Sequence, residues 1–231
     1  MKCQTAGRAA RCRRSGAGGA PLSRVSRITG LAVASAVAVG ACSVEPSGQR
    51  VLAEDGTFIV HLPNSYTVFP SDESAPALLP GAGVLNEDAQ VAAFDASAEP
   101  DIGRVAQIVS DTPIGWVISR PISNPDVQDQ ISWEMLRNFS IPYETIDGSQ
   151  PLLEQPVSLE DPDLSGYRAV VLVPASSSPS GPNVVIDSTI YTNEAHTMLW
   201  ELFVSCTEVC YLEDHFDEIQ EIVGTWVVDE P

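Results

Sequence analysis

A 14-residue apolar run at residues 28–41 decides how much of this 231-residue chain can belong to a folded domain. A membrane-spanning helix needs about 20 apolar residues, because the hydrocarbon core of a bilayer is about 30 Å thick. The run is therefore too short to span. Seven basic residues and no acidic residue precede it, and small residues end it, which is the anatomy of a secretory signal. We therefore expect the fold to form from the residues that follow.

The end of the run predicts a cleavage and attachment site. Val39, Gly40 and Ala41 precede Cys42 and resemble a bacterial lipobox, in which the cysteine is linked to diacylglycerol and the signal is cut just before it. The match departs from the commonest pattern at Val39, where leucine is usual. We predict a signal peptide at 1–41 and a lipidated, palmitate-bearing Cys42. The alternative is an ordinary secretory signal with an incidental cysteine.

Charge narrows the possible partners of the mature chain. Without residues 1–41, five arginines and no lysine face all 31 acidic residues, a formal charge of −26. Nucleic acid is an unsuitable partner, because its binding depends on cations that displace counterions from phosphates. Adhesion to anionic headgroups is disfavoured for the same reason, so attachment must come from lipid. We predict an extracytoplasmic domain anchored to the outer face of the cell membrane.

Two regions are expected after the signal. Residues 42–55 comprise the lipidated cysteine and SVEPSGQRVLAED, which shows no clear periodicity and is predicted to be a flexible tether. Residues 56–231 fit one globular domain that can bury a sizeable core.

Alternation of apolar and other residues predicts mostly β structure in this domain. In TFIVHLP, Phe58, Val60 and Leu62 share one face. Further strands are predicted at 90–95, 104–110, 115–122, 152–159, 167–173, 184–192 and 197–205. The last of these has apolar residues on both faces, which indicates that both faces are covered.

Helical spacing is predicted in two places. Asn124 is a suitable N-cap before Pro125, and an apolar stripe extends to 139. In the C-terminal segment the predicted stripe comprises Leu212, Phe216, Ile219 and Val223, with Gly224 as the stop. Strand alternation resumes at Trp226 and Val228.

Two stretches are predicted as loops, and the fold class follows from all the elements together. Residues 70–88 are rich in Pro, Ser, Gly and acid, and 174–183 are of low complexity. The predicted fold class is α/β (α+β), with a central, mainly antiparallel sheet flanked by helices.

Both ends of the domain resemble a known family. The opening GTFIVHLPNSYTV and the closing HTMLWELFVSC and FDEIQEIVGTWVV resemble the first hairpin and the last strand-helix-strand of PsbP-like domains, including the LpqN-type lipoproteins of actinobacteria. The resemblance implies an antiparallel sheet sandwiched by helices. It also implies a binding or accessory role without a catalytic set. An actinobacterial source agrees with a mature chain that has no lysine.

Motifs that carry catalysis are not found in the sequence. HExxH, GxSxG, SxxK and a phosphate-binding loop are all missing. An imidazole mechanism would have to use His61, His196 or His215, each of which is predicted to be structural or solvated. Arg120 and Arg168 lie in strand patterns and are expected to pair with surplus carboxylates. We therefore predict no catalytic residue and no cofactor.

One segment matches the opening of a calcium loop. In DPDLSGYR, Asp161, Asp163, Ser165 and Gly166 fit the first ligand positions, but the twelfth position, where a bidentate glutamate is needed, is Leu172. An ordinary Asp/Ser/Gly turn and no metal site are predicted. A divalent-metal-binding module stays as an alternative.

The mature chain has two cysteines besides Cys42. Cys206 and Cys210 would meet an oxidising environment in an exported domain, and we predict a disulfide. Its Cα atoms must lie within about 7 Å, whereas four extended residues span about 13 Å, so the strand must end and turn there. The alternatives are a zinc site with His196 and His215, or a redox-active pair.

The predicted function is a lipid-anchored binding or accessory domain of the bacterial cell envelope. Its expected partners are the membrane, through the lipid, and an unidentified envelope protein or small ligand. An envelope hydrolase with a site assembled only in three dimensions is the alternative. A cleft that joins His61 or His196 to acidic neighbours would favour the hydrolase.

Overall fold

The structure, a computed structural model, describes residues 48–78, 89–139, 142–159, 164–175 and 181–229. The predicted signal peptide, Cys42, and Asp161 and Asp163 of the calcium-like motif lie outside the described residues. Within the described ranges, no helix has both the length and the apolar character needed to cross a membrane.

The described strands form two antiparallel sheets. In chain order the strands are β1 (Gln49–Leu52), β2 (Phe58–Leu62), β3 (Thr67–Phe69), β4 (Gln90–Asp95), β5 (Ile114–Pro121), β6 (Gln150–Ser158), β7 (Leu164–Val173), β8 (Val184–Asn193), β9 (Met198–Thr207) and β10 (Val227–Val228). The smaller sheet has the order β1-β2-β10, and the larger sheet has the order β3-β4-β5-β9-β8-β7-β6. The predicted mainly antiparallel fold is confirmed. The last strand, β10, pairs with β2 in the smaller sheet.

Helices and helical turns connect and cover the strands. The helices are α1 (Ser71–Leu78), α2 (Ile102–Gln107), α3 (Pro125–Gln128), α4 (Trp133–Arg137) and α5 (Phe216–Thr225), with a 3-10 turn at Tyr143–Thr145 and a π-helical turn at Cys210–Asp214. The smaller sheet and α5 cover one face of the larger sheet, and α2, α3 and α4 contribute to the clusters on the other face.

Strand β9 lies at the centre of the larger sheet and is buried on both faces, as predicted. Trp200 and Leu202 pack in one cluster with Phe58 of β2. Phe203 packs on the opposite face, where its ring stacks on Trp116 with centroids 3.8 Å apart. The two packed layers on either side of β9 hold the sheets in position.

Two predictions about local structure, at residues 49–52 and 104–110, are wrong. The sequence places residues 49–52 in the predicted tether, but they form β1 because they pair along β2 in regular register. Residues 104–110 were predicted as a strand, but most of this stretch lies in α2. Asp101 caps that helix by accepting a hydrogen bond from the Gly103 N–H, and Ile108 ends it at a φ of 57°.

The prediction of an exposed loop at 70–88 is also wrong for its first part. Residues 71–78 form α1, in which Ser74 is fully buried and donates a hydrogen bond to the Phe69 carbonyl at 2.9 Å. The helix predicted from Asn124 to 139 begins at Asn124 as expected, but it is two short helices. Ser132 interrupts it by capping α4, with its hydroxyl accepting from the Met135 N–H at 3.2 Å.

The C-terminal helix is present, but its buried face differs from the predicted stripe. Ile219 and Ile222 are buried, whereas Leu212 and Phe216 are 44% and 45% exposed. The π-helical turn at Cys210–Asp214 precedes α5 and shifts the helical phase between the two segments. The predicted stripe assumes one constant helical period across both segments, and it therefore assigns Leu212 and Phe216 wrongly to the buried face.

Candidate functional site

A groove of about 440 Å³ opens between the two sheets beside β1 and β4. It is lined by six consecutive residues, 49–54, of β1 and the turn that follows, and by residues 90–92 of β4. Phe58, Val68, Pro70 and Ser71 complete the lining. The groove thus opens into the apolar space between the smaller sheet and the larger one.

The groove exists because β3 is short. β3 reaches only to Phe69, which pairs with Ala93, so residues 90–92 of β4 have β5 on one side but no described strand on the other. Helix α1 satisfies the main chain there instead. The Ser71 hydroxyl accepts from the Val91 N–H at 3.2 Å, and the Ser74 hydroxyl accepts from the Ala93 N–H at 3.3 Å. On the side away from β5, residues 90–92 therefore have no described strand partner, while the Val91 N–H remains satisfied.

The lining of the groove combines an apolar interior with charged residues at the surface. Val51, Phe58, Val91 and Ala92 are buried, whereas Arg50 and Glu54 are exposed. Pockets of about 300 to 1,000 Å³ that are mainly apolar with a few polar groups are typical ligand sites. The groove can therefore hold an apolar group or an extended chain whose polar parts face the rim.

The structure confirms the predicted disulfide. Cys206 near the end of β9 and Cys210 in the π-helical turn are bonded, with Cα atoms 5.9 Å apart. The alternative zinc site does not fit. His196 precedes the first residue of β9, and this ten-residue strand separates it from Cys206 by about 30 Å. The four proposed ligands cannot meet at one ion.

The three histidines lie on separate elements. The His196 ring nitrogen Nδ1 lies 3.0 Å from the Gln128 carbonyl oxygen, and the His215 Nδ1 lies 3.2 Å from a Glu218 carboxylate oxygen. His61 is half-buried in β2, and its side chain points away from the core residues on either side of it. None of these histidines lines the groove. The cleft that would have favoured a hydrolase is not formed by these residues.

Arg168 forms the ion pair expected of it. Its Nε and Nη2 atoms donate to the two Asp187 carboxylate oxygens at 3.0 and 2.6 Å, and the Tyr211 hydroxyl donates to the same carboxylate at 2.7 Å. Burial lowers the pKa of Arg168, but the bond to Asp187 outweighs it, so the net shift is upward. Arg168 also donates to Gln220 of α5, so this network joins the sheet to the C-terminal helix.

A carboxyl group is buried on the face of β9 opposite the smaller sheet. Glu201 is 3% exposed, and the Trp116 indole N–H and the Ser188 hydroxyl each donate to it at 3.3 Å. Burial raises its pKa to about 7, although Trp116, Arg120 and Ser188 each oppose the shift. Arg120 itself lies over the Phe139 ring at 4.2 Å. Glu201 can therefore take up or release a proton near neutral pH.

Sequence reasoning missed both the groove and Glu201. The groove depends on where β3 stops relative to β4, which no local pattern encodes. Glu201 did leave a signal, because it is a carboxylate between two apolar residues, Leu199 and Phe203, on the same face of a strand predicted to be covered on both faces.

Neither a protein-family model nor a curated protein sequence matches the chain. Solved structures with a similar arrangement include cyanobacterial PsbP from Synechocystis sp. PCC 6803, at 12% identity and a TM-score of 0.45, covering 83% of this chain and 99% of that chain. LpqN of Mycobacterium tuberculosis, described as involved in cell envelope biogenesis, is 11% identical with a TM-score of 0.46, covering 79% and 90%.

A third similar structure comes from Bacteroides thetaiotaomicron, at 10% identity and a TM-score of 0.43, covering 80% of this chain. This chain spans 50% of the length of that protein. At such identities the similarity concerns the fold alone, and we infer no function from it.

Proposed function

We propose that this protein is a lipid-anchored binding domain of the bacterial cell envelope and that the groove holds its ligand. The groove carries this proposal, since a cavity of about 440 Å³ with buried Val51, Phe58 and Val91 has the size and character of a ligand site. The ligand would place an apolar part between the sheets and polar groups near Arg50 and Glu54. The domain would then act by binding a partner or small ligand at the membrane surface.

The proposed location rests on the N-terminal sequence. A basic leader, a short apolar run and Cys42 follow one another in the order of a lipoprotein signal. The strongly acidic mature chain gives no electrostatic attraction to anionic lipid, so the anchor would have to be covalent. At least two acyl chains are needed for stable attachment.

Replacing Cys42 by alanine is expected to abolish labelling with a fatty-acid probe and to release the protein from membranes. Labelling and fractionation of cells that express Cys42→Ala would measure both effects. Cys12→Ala, which changes a cysteine before the predicted cleavage site, is the matched control and should behave as wild type. Retention of unlabelled Cys42→Ala in the membrane fraction would contradict lipid anchoring.

Filling the groove is expected to abolish partner binding. Val68 in β3 and Val157 in β6 are both half-buried valines on outer strands that pack against the same cluster, but only Val68 lines the groove. Val68→Trp should lower recovery of the partner from native membranes by at least about tenfold, because the indole would occupy the ligand volume. Val157→Trp should leave recovery unchanged. Equal recovery with both variants would argue against the groove as the site.

A further inference from the structure

We propose that the ligand of the groove is an extended peptide segment that adds to the free edge of β1 as a further strand. This inference rests on the proposed function, because it names the class of partner that the groove would bind. Strand addition combines main-chain hydrogen bonds for affinity with pockets for alternate side chains.

The register of β1 shows which of its main-chain groups are free to bind. Among the strands in the described ranges, β1 is the outermost of the smaller sheet, and its neighbour there is β2. The Ala53 N–H donates to the Phe58 carbonyl at 3.1 Å, and the same register pairs Val51 with Val60. Hydrogen-bonded pairs alternate along antiparallel strands, so the intervening residues Arg50 and Leu52 direct their N–H and C=O groups away from β2.

The groove follows this free edge. All of residues 49–54 line it, as expected when the groove runs along the main chain and not beside one protruding side chain. The four residues of β1 extend over about 13 Å, enough for four or five residues of an added strand. Side chains on one face of that strand would enter the apolar space near Val68 and Ala92, which also line the groove.

The outer edges of the larger sheet are less suited to strand addition. β6 contains Pro151 and Pro156, and each proline removes a main-chain donor from this exposed edge. In β4, the Val91 N–H beside the groove is satisfied by Ser71, and the adjoining Ala93 N–H is satisfied by Ser74. β1 contains no proline. The edge of β1 therefore both borders the groove and contains no proline that would remove a donor.

Charge indicates the composition of the partner. Glu54 lines the groove, and Asp72 and Glu73 are exposed in the first turn of α1, next to the lining residue Ser71. Among the described lining residues, Arg50 is the basic one. The mature chain is also strongly acidic as a whole. The best fit is an extended segment with apolar residues at alternate positions and lysine or arginine nearby.

Selection of octapeptides from a random displayed library, with the mature protein as bait, tests this inference. We expect the selected peptides to alternate apolar residues and to carry net positive charge. Leu52→Pro removes an outward-directed N–H and should weaken binding of a selected peptide by at least about tenfold. Ser158→Pro is the matched control, because it places a proline two residues from Pro156 on the edge of β6. It should bind the peptide as wild type does.

N-methylation of the selected peptide gives a second test that leaves the protein unchanged. Alternate amides of an added strand face β1. Methylation of the set of amides that faces β1 should therefore abolish binding, and methylation of the other set should have little effect. If Val68→Trp abolishes peptide binding but Leu52→Pro and methylation of alternate amides have no effect, strand addition is wrong and the groove remains the site. If none of these three changes affects binding of the peptide, both proposals are wrong. If the selection yields no peptide, strand addition is wrong.

Discussion

Replacing Asp187 by alanine is expected to destabilise the domain by about 3 to 5 kcal/mol, because it leaves the largely buried guanidinium of Arg168 without its carboxylate partner. The Asp187 side chain is completely buried and the Arg168 side chain is 13% exposed, so water cannot replace the lost carboxylate at low cost. The Tyr211 hydroxyl would lose its acceptor in the same substitution. Denaturant unfolding of the two proteins would measure the change in free energy.

The control for this prediction is Asp217→Ala on the exposed side of α5. Its effect should stay within about 0.5 kcal/mol, as is usual for surface substitutions. A loss of less than about 1 kcal/mol for Asp187→Ala would show that the network with Arg168 contributes little to the fold.

Glu201→Gln is expected to stabilise the domain above pH 7 and to leave its stability at pH 4.5 nearly unchanged. Burial raises the pKa of Glu201 from 4.5 to about 7. The folded form therefore holds a proton that the unfolded form has released between these two values, and the stability contributed by this group falls as pH rises through that interval. One pKa unit corresponds to about 1.4 kcal/mol, so the loss amounts to roughly 3 kcal/mol. Glutamine carries no charge at any of these pH values, so the Glu201→Gln protein does not lose this stability.

The measurement is the free energy of unfolding of both proteins between pH 4.5 and 8. The advantage of Glu201→Gln over wild type should grow with pH up to about pH 7 and then level off. Glu134→Gln, an exposed change in α4, is the control and should keep the wild-type dependence. A constant difference between Glu201→Gln and wild type across the range would show that Glu201 does not titrate as the structure implies.

Long alternating segments were predictable from sequence, because the period of the side chains reports the strand directly. β8 and β9 have ten residues each, and their predicted positions agree with the structure to within about two residues. The disulfide was predictable as well, since few cysteines follow the predicted signal peptide and Cys206 lies where the strand must turn.

Short elements were not predictable, because their structure depends on distant partners. The four residues of β1 show no clear pattern and become a strand only by pairing with β2. Helix α2 has a single buried residue, Val105, so too little apolar periodicity remains to tell a short helix from a strand. The phase of α5 was missed because a π-helical turn precedes it.

The groove could not be predicted from the sequence either. Its opening depends on β3 stopping at Phe69 and on two hydroxyls of α1 reaching the amides of β4. Both are relations between segments that lie far apart in sequence. Local sequence patterns predict which strands exist but not where one strand ends beside another.

Cross-linking in living cells tests most directly whether the groove is the binding site. A photoreactive phenylalanine at position 68 would lie in the groove, and the same residue at position 157 would lie on the opposite outer strand of the larger sheet. Mass spectrometry after irradiation identifies what each position contacts. The proposal predicts one specific product at position 68, lost when Leu52 is proline, and no such product at position 157. Identical products at both positions, or none at position 68, would contradict it.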